Sequence, residues 1–419
     1  MPQKQNSLFV VAFTVFLLAA LVSCQTFAPK SPFAKTWRTV LDMPDGGLPF
    51  HIEITDDDGA LSAAVRNGAE ALPFTTVDVD GETIKLVFEH YNAWFEGRID
   101  AAGETITGDW KRRRGKEISS QVAFVAQAGI ADRFDPIDEQ PAAPSPIDDV
   151  TGKWDFTFGE GEETWRSLGI FEQDGHKVTG TFLTKVGDFR YLEGTFEKGT
   201  LRLSVFDGCH SFLVCAQVVA EGVLEGTFWF GSSGTPIRAV AGGTPMADPW
   251  SLTRCVSEAG TFSFSFPDAD GNILSSSDAR FEGKPLVVCV IGTWCCNCYD
   301  AGRLLAELYE EYHSKGLEIV CLCSEASGDL ETDGAMMRAF SRCWDAEWPL
   351  LHVGSSSKNK TLEALPDLDV FLSYPTTIFI DREGTVRKIH TGFTGPGTGE
   401  YYERMCAEFR GVIEGMLAE

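Results

Sequence analysis

One stretch constrains the fold of this chain more than any other. An apolar run of strand length, Val287–Ile291, is followed by a Gly-Thr-Trp turn and then by Cys295-Cys296-Asn297-Cys298. Beyond the cysteines, apolar side chains recur every three or four residues as far as Tyr312, which is one face of a helix. The stretch therefore predicts a buried strand, a tight turn and a helix that begins at the cysteines.

The two outer cysteines form a Cys-x-x-Cys pair. At a helix N-terminus, unpaired N–H groups and the helix dipole favour the thiolate of Cys295. A thiolate there can attack a disulfide, and Cys298 can displace the product. Half of a zinc site has the same spacing, but the sequence offers no second Cys-x-x-Cys or His-x-x-His. The pattern favours a redox pair over an inert pair or a buried disulfide.

The chain around this stretch alternates between strand and helix patterns. A short β-hairpin is expected from Phe262 onward, and Tyr374-Pro375-Thr376-Thr377 places a proline directly before a β-rich run. The predicted order is strand 286–291, helix 297–314, strand 317–323, helix 334–345, strands 349–353, 376–380 and 385–390, and helix 400–417. This order is typical of a layered α/β fold.

Length and charge limit the rest of the chain. At 419 residues the chain is expected to hold about two to four domains. Its formal net charge of −26 argues against nucleic acid or anionic membrane as a partner.

The first residues have the pattern of a targeting segment. Lys4 precedes an almost continuous apolar run, 8–21, which is short for a membrane span. The ending Leu-Val-Ser-Cys24 resembles the bacterial lipobox, in which the cysteine is lipidated and becomes the mature N-terminus. We therefore expect a signal peptide at 1–23 and an extracytoplasmic protein, in the periplasm or cell envelope, anchored to a bacterial membrane through Cys24. Plain signal cleavage and an uncleaved anchor are the alternatives.

The middle of the chain predicts two similar β domains. Alternating apolar and polar residues with glycine turns fill 36–128 and again 151–241, and Trp37 and Trp154 correspond at an offset of about 117 residues. Each unit is expected to be a small antiparallel barrel or sandwich. The expected boundaries are completed by the following segments: a tether at 24–35, a Pro-rich linker at 129–150, a second linker at 242–260, and the α/β domain at 261–419.

The β domains carry no catalytic constellation, so a spacer or docking role is favoured over a small-molecule site. The basic run Lys111–Lys116 is interpreted as a solvated hairpin turn, with contact to anionic lipid as the alternative. Cys209 and Cys215 flank a short segment, and whether they form a disulfide stays open. The seven histidines show no pair at metal-ligand spacing.

The part from about 260 to 419 resembles the TlpA/ResA-type thiol–disulfide oxidoreductases of the thioredoxin superfamily, which are AhpC/TSA-redoxin-like. The resemblance rests on the Gly-Thr-Trp-Cys-x-x-Cys motif, on the Tyr-Pro-Thr-Thr segment and on Phe262…Phe266-Pro267-Asp268. It implies a thioredoxin-like fold. It also implies roles for individual residues. Cys295 would be the nucleophile and Cys298 the resolving thiol. Pro375 would be a cis-proline, the backbone of Tyr374 would pair with substrate, and Trp294 would shield the cysteine pair from solvent.

Three departures from the family pattern concern thiols and proton acceptors. Cys296 stands between the paired cysteines, where it either competes as an attacking thiol or packs at the first helical turn. The usual acidic positions hold Ala301 and Cys289. Glu325 is the candidate substitute, with a solvated loop carboxylate as the alternative, and Thr376 is a possible accessory residue.

The sequence therefore predicts a lipid-anchored thiol–disulfide oxidoreductase that needs no metal or organic cofactor. Its expected partners are protein thiols or disulfides, an upstream membrane reductant and the lipid bilayer, with no nucleic acid. The resemblance favours the reducing direction. The alternatives are a peroxiredoxin-like thiol peroxidase and a non-catalytic thiol module that binds copper. A marked peroxidatic motif is missing, and no histidine in the sequence stands out to complete a copper site.

Overall fold

The computed structural model describes residues 30–44, 46–115, 117–138 and 145–419. Cys24 and the predicted signal peptide lie outside the described residues. None of the helices in the described part is long and apolar enough to cross a membrane.

The first β unit is an open antiparallel sheet of nine strands. Its order is β4-β3-β2-β1-β9-β8-β7-β6-β5, so β4 and β5 are the two edges. The strands are Thr36–Leu41 (β1), Leu48–Asp57 (β2), Ala60–Asn67 (β3), Glu70–Pro73 (β4), Thr76–Asp80 (β5), Thr83–Phe88 (β6), Ala93–Ile99 (β7), Thr105–Arg114 (β8) and Glu117–Ala128 (β9).

The second β unit is a closed antiparallel barrel of eight strands in sequence order. The strands are Gly152–Phe158 (β10), Trp165–Asp174 (β11), Lys177–Leu183 (β12), Leu192–Glu197 (β13), Thr200–Phe206 (β14), Ser211–Ala220 (β15), Val223–Phe230 (β16) and Ser233–Ala241 (β17).

The two β units correspond to each other in two features. β2 and β11 each have ten residues and begin 117 positions apart. Trp37 donates its indole N–H to the carbonyl of Phe33, four residues earlier, and Trp154 does the same to Val150, at 2.8 Å in both cases. The tryptophans therefore fix the entry to each unit in the same way, as core residues.

The open sheet completes its core with side chains from elsewhere in the chain. Phe50 of β2 stacks on Phe206 of β14, with ring centroids 4.7 Å apart. Cys296 and Tyr299 of the C-terminal domain belong to the same buried cluster. Burial of this apolar face therefore depends on all three units being packed together.

The C-terminal domain is a five-stranded sheet with helices, preceded by a two-stranded hairpin. The sheet order is β22-β21-β20-β23-β24; β20, β21 and β22 are parallel, and β23 and β24 run antiparallel to their neighbours. The strands are Ser265–Pro267 (β18), Ile273–Ser275 (β19), Leu286–Ile291 (β20), Glu318–Glu325 (β21), Leu350–Ser355 (β22), Thr376–Ile380 (β23) and Val386–Thr391 (β24). The helices are Cys296–Tyr312 (α1), Leu330–Cys343 (α2), Lys358–Ala364 (α3) and Glu400–Ala418 (α4).

The predicted fold class is confirmed: two antiparallel β units precede a thioredoxin-like α/β domain. The bounds of β20 and β23 are those expected from the sequence. The short helix α3 was not predicted, and α2 begins four residues before its expected start, where Asp329 caps it by accepting from the N–H of Thr332.

Both expected linkers contain residues that pack on the domains. Arg133 is 3% exposed and donates to Ser204 of β14 and to Asn67 of β3, at 2.8 and 2.7 Å. Trp250 packs against Phe379 and Phe409 of the C-terminal domain. These contacts fix the linkers to the domains that they join.

Candidate active site

The redox motif lies where β20 meets α1. All six residues of β20 are buried, and the chain turns at Gly292 and Thr293 before α1 begins. Cys295 is the N-cap of α1, and its Sγ accepts a hydrogen bond from the backbone N–H of Cys298, at 3.4 Å. A sulfur in this position satisfies one of the unpaired helix N–H groups, which stabilises the thiolate.

The two cysteines of the pair have pKa values shifted in opposite directions. The hydrogen bond from the Cys298 side chain lowers the pKa of Cys295 against the effect of burial. Burial and the neighbouring Cys295 raise the pKa of Cys298 well above its usual range. Cys295 is 7% exposed and Cys298 is fully buried. The outer thiol is therefore the one that ionises first.

The segment that precedes β23 lies directly against Cys295. The Tyr374–Pro375 peptide bond is cis, and the thiol of Cys295 is 3.6 Å from the carbonyl oxygen of Tyr374. That carbonyl also accepts from the hydroxyl of Ser373, at 3.2 Å. The backbone of Tyr374 is expected to pair with an extended substrate, and in this structure its carbonyl oxygen lies against the side chains of Cys295 and Ser373. Thr376 donates its hydroxyl to the carbonyl of Ser373, at 2.8 Å.

Trp294 packs beside the pair. Its indole N–H donates to the carbonyl of Ser324, at 3.0 Å, and its ring meets that of Tyr374 edge to face at 5.3 Å. The ring therefore covers the turn from the side of β21.

Glu325, at the end of β21, is buried and is not a solvated loop carboxylate. One carboxylate oxygen accepts from the backbone N–H of Thr293, at 3.0 Å, and the other accepts from the Thr293 hydroxyl, at 2.7 Å. Burial raises the pKa of Glu325 to about 7. Glu325 thus holds the turn two residues before Cys295.

Cys296 points away from the pair, toward the second β unit. Its Sγ lies 3.3 Å from Nδ1 of His210, and that nitrogen is also 3.4 Å from the Sγ of Cys209 and 3.0 Å from Oδ2 of Asp207. No disulfide joins Cys209 to Cys215. The structure therefore brings a histidine beside the cysteine motif, where the sequence had indicated none.

The barrel covers the face of the domain that carries the cysteines. The loop 184–188 between β12 and β13 reaches the cis-proline segment, because the hydroxyl of Ser373 donates to the carbonyl of Val186, at 3.1 Å. Asn297 of α1 donates to Asp188 of the same loop, at 2.8 Å. The barrel loop therefore contacts both the segment that precedes β23 and the first turn of α1.

Comparison with known proteins places the C-terminal domain. A family model described as "AhpC/TSA family" matches residues 259–389. "Thiol-disulfide oxidoreductase ResA" of Bacillus thuringiensis subsp. konkukian is 30% identical over 123 residues, which are 29% of this chain and 62% of that relative. "Thioredoxin-like protein YneN" of Bacillus subtilis is 30% identical over 129 residues, which are 31% of this chain and 68% of that relative. The C-terminal domain belongs to the ResA-type branch of the thioredoxin superfamily.

Solved structures are similar to a part of this chain. A thiol:disulfide interchange protein of Chlorobium tepidum TLS is 19% identical and covers 42% of this chain and 99% of its own, with a TM-score of 0.29. The chain spans 62% of the length of the ResA relative cited above. The two β units lie outside the matched family region.

A buried arginine joins the ResA-type domain to both β units. Arg190, between β12 and β13, contacts Glu70 of β4 and Asp300 of α1, and donates to the carbonyl of Cys296 at 2.8 Å. Burial raises the pKa of Asp300 to about 6 although Arg190 opposes that shift. Burial and Asp300 likewise raise the pKa of nearby Asp188 to about 7.

The basic hairpin of the first sheet also reaches the ResA-type domain, and the interpretation of a solvated turn is wrong for Arg112, which is partly buried. Arg112 donates to the carbonyls of Cys209 and Trp294, at 3.2 and 3.3 Å, and Arg114 donates to that of Ala326, at 3.1 Å. A cleft of about 430 Å³ between the three units is lined by these arginines, Cys209, His210 and Trp294.

Sequence reasoning missed the residues that other units contribute to this site. Asp207, Cys209, His210 and Arg190 are far from the motif in sequence, and no periodic pattern marks them. The one available signal was the short Asp-x-Cys-His segment at 207–210, which carries three metal-ligand side chains in four residues.

Proposed function

We propose that this chain is an extracytoplasmic thiol–disulfide oxidoreductase that acts on protein disulfides through Cys295 and Cys298. The position of Cys295 carries the proposal: its sulfur caps α1, its pKa is lowered, and it lies against the cis-proline segment. The names of the ResA relatives support the same activity.

In the reducing direction, the thiolate of Cys295 attacks one sulfur of a substrate disulfide. The substrate S–S bond breaks, one substrate thiolate leaves, and a mixed disulfide with Cys295 remains. Cys298 then loses its proton and attacks Cys295, which releases the second substrate thiolate. The two electrons come from the dithiol, which becomes the Cys295–Cys298 disulfide and is restored by an upstream membrane reductant.

Neighbouring side chains position these steps. Glu325 fixes the turn through Thr293, and we assign it this positioning role because both of its oxygens bind Thr293. Trp294 and Tyr374 restrict approach to Cys295 from two sides. The loop 184–188 contacts the cis-proline segment and α1, and we propose that it moves when a protein substrate binds at Cys295.

The reduction potential of the purified soluble chain tests the proposal. A two-electron couple near that of thioredoxin, about −270 mV, is expected to be lost in Cys295→Ala and to persist in Cys296→Ala. The variant Cys298→Ala should accumulate a mixed disulfide with substrate, because the resolving thiol is missing. Cys343→Ser, which removes a thiol outside the motif, should behave as the wild type does.

Other outcomes would change the assignment. A markedly more oxidising potential would reverse the proposed direction. Peroxide turnover without disulfide reduction would indicate the peroxiredoxin-like alternative, and the absence of a two-electron couple would contradict an oxidoreductase. The lipid anchor expected from the sequence is tested separately: fatty-acid labelling should occur in the wild type and be lost in Cys24→Ser.

A further inference from the structure

A second cluster of reactive side chains lies beside the redox pair but does not include it. Asp207, Cys209 and His210 come from the loop between β14 and β15, and Cys296 is the first residue of α1. The four potential ligand atoms all lie within 4.8 Å of one another. The proposed disulfide exchange uses none of them.

The separations within the cluster suit a tetrahedral metal ion. Zinc bonds of about 2.3 Å to sulfur and about 2.0–2.1 Å to nitrogen and oxygen give edges of about 3.6 Å for N···S and about 3.4 Å for N···O. The corresponding distances from Nδ1 of His210 are 3.3 Å to Cys296, 3.4 Å to Cys209 and 3.0 Å to Asp207. Each of these three distances is within about 0.4 Å of the ligand–ligand distance in such a tetrahedral site.

The residues around the cluster hold its members in place. The other oxygen of Asp207 accepts from the backbone N–H groups of Cys209 and His210, at 2.9 and 2.6 Å. Arg112 donates to the carbonyl of Cys209, and Arg190 to that of Cys296. Such outer contacts orient metal ligands, and the two arginines offset the negative charge that two thiolates and a carboxylate bring.

The cluster is also accessible. The side chain of His210 is 24% exposed, and both His210 and Cys209 line the cleft between the three units. An ion can therefore reach the donors from solvent, although Cys296 and Asp207 are buried.

We propose that Asp207, Cys209, His210 and Cys296 bind one Zn²⁺ ion between the barrel and the ResA-type domain. The ligands are the two thiolates, the imidazole Nδ1 and one carboxylate oxygen, and binding releases the protons of the thiols and of the imidazolium. Two thiolates and an imidazole disfavour hard cations such as Mg²⁺ and Ca²⁺, which prefer oxygen ligands. The fourth donor is a carboxylate, which favours zinc over Cu(I).

The ion would cross-link two units at the motif itself. It joins the β14–β15 loop to α1 one residue after Cys295, and it holds the Cys296 thiolate so that this thiol does not compete with Cys295. The site goes beyond the proposed redox activity and does not depend on it, since metal binding is measured without turnover.

Metal content of the full chain, purified without oxidant, tests the proposal. About one zinc ion per chain is expected, and replacement by Co²⁺ should give the charge-transfer band of thiolate ligation. Cys209→Ser and His210→Ala should lower zinc affinity by more than the roughly 10–100-fold that loss of an outer-shell partner causes.

Cys343→Ser is the matched control. Its thiol lies 3.6 Å from Nδ1 of His90, yet the pair belongs to no group of three potential ligands in the described ranges. This variant should keep the zinc and the cobalt spectrum of the wild type.

A measurement on the wild type covers the case in which a variant fails to fold. Mass-spectrometric mapping should show that zinc protects Cys209 and Cys296 from alkylation, and that a chelator removes this protection. A Cys209–Cys296 disulfide in the zinc-treated reduced chain, Cu(I) bound in preference to zinc, or zinc retained by Cys209→Ser and His210→Ala would each overturn the proposal.

Discussion

Three thiols occur within four residues at the start of α1, and each has different surroundings. Cys295 accepts a helix N–H, and its pKa is lowered. Cys298 is buried beneath it with a raised pKa, and the hydrogen bond with Cys209 together with burial raises the pKa of Cys296. Local geometry thus makes Cys295 the first of the three thiols to ionise, and zinc binding would draw the proton from Cys296.

Glu325 gives a prediction at the scale of one residue. Its pKa is about 7 in the folded chain, above the ordinary value of 4.5, so the folded state binds its proton more tightly than the unfolded state does. The resulting stabilisation is complete below about pH 4.5 and is lost as the pH rises through 7. Glu325→Gln removes this dependence and keeps an acceptor for Thr293.

We therefore expect the free energy of unfolding of Glu325→Gln to rise relative to wild type between pH 5 and pH 8, by about 2 kcal/mol. Urea unfolding of both proteins at several pH values measures this. A constant difference across the range would contradict a raised pKa for Glu325.

The sequence identified Glu325 and the cysteine pair, but not what they contact. The motif and its helix are local, so the spacing together with its strand–turn–helix context could propose Cys295 and Cys298 as the redox pair. The bond from Glu325 to Thr293 and the approach of His210 to Cys296 arise from tertiary packing. No periodicity in one sequence encodes a loop of one domain meeting a helix of another.

At the scale of elements, too, the sequence predicted the local features and missed the contacts between domains. β20 and β23 were bounded correctly because β20 is a continuous apolar run, and β23 is a β-branched and aromatic run that lies between Pro375 and Asp381. The first β unit was expected to be a barrel or sandwich like the second, but its edge strands β4 and β5 are not paired with each other. The side chains that fill the gap come from other units, which a repeat pattern cannot show.

The contact of the loop 184–188 with the cis-proline segment gives a prediction at this scale. A Cβ added at Gly392 would overlap the carbonyl of Val186, whereas a Cβ at Gly384 would meet nothing within 4 Å. Both glycines have a positive φ, of 84° and 82°, so alanine brings similar backbone strain at each. Only Gly392→Ala should push the loop away from the redox domain.

We expect Gly392→Ala to increase the rate at which a large PEG-maleimide modifies Cys295 by roughly tenfold, since overpacking costs about 1–3 kcal/mol. Mass spectrometry of the reduced chain identifies the modified thiol. An equal increase in Gly384→Ala would show that strain, and not displacement of the loop, exposes Cys295.

At the scale of the whole molecule, Arg190 connects the three units. It is 1% exposed and contacts Glu70 of the open sheet and both Asp300 and the carbonyl of Cys296 in the ResA-type domain. A buried ion pair that loses one partner leaves an uncompensated charge in the interior. The arginine therefore makes the packing of each unit depend on the other two.

Arg190→Met should accordingly destabilise the chain by about 3–5 kcal/mol and separate the unfolding of the redox domain from that of the barrel. Arg238→Met removes an exposed pair with Glu225 on the same barrel and should cost less than about 1 kcal/mol. Calorimetry compares the two variants. If Arg190→Met lowers the free energy of unfolding by no more than Arg238→Met does, the buried network does not couple the units.

The open first sheet has a consequence for the order in which the chain is made. Its strands leave the ribosome before two residues that complete its apolar core, namely Phe206 in the middle of the barrel and Tyr299 in the redox motif. Until then the nascent sheet exposes an apolar face and two unpaired edges, both of which favour aggregation. Premature termination before β14 would therefore leave a product that needs chaperone protection throughout its lifetime.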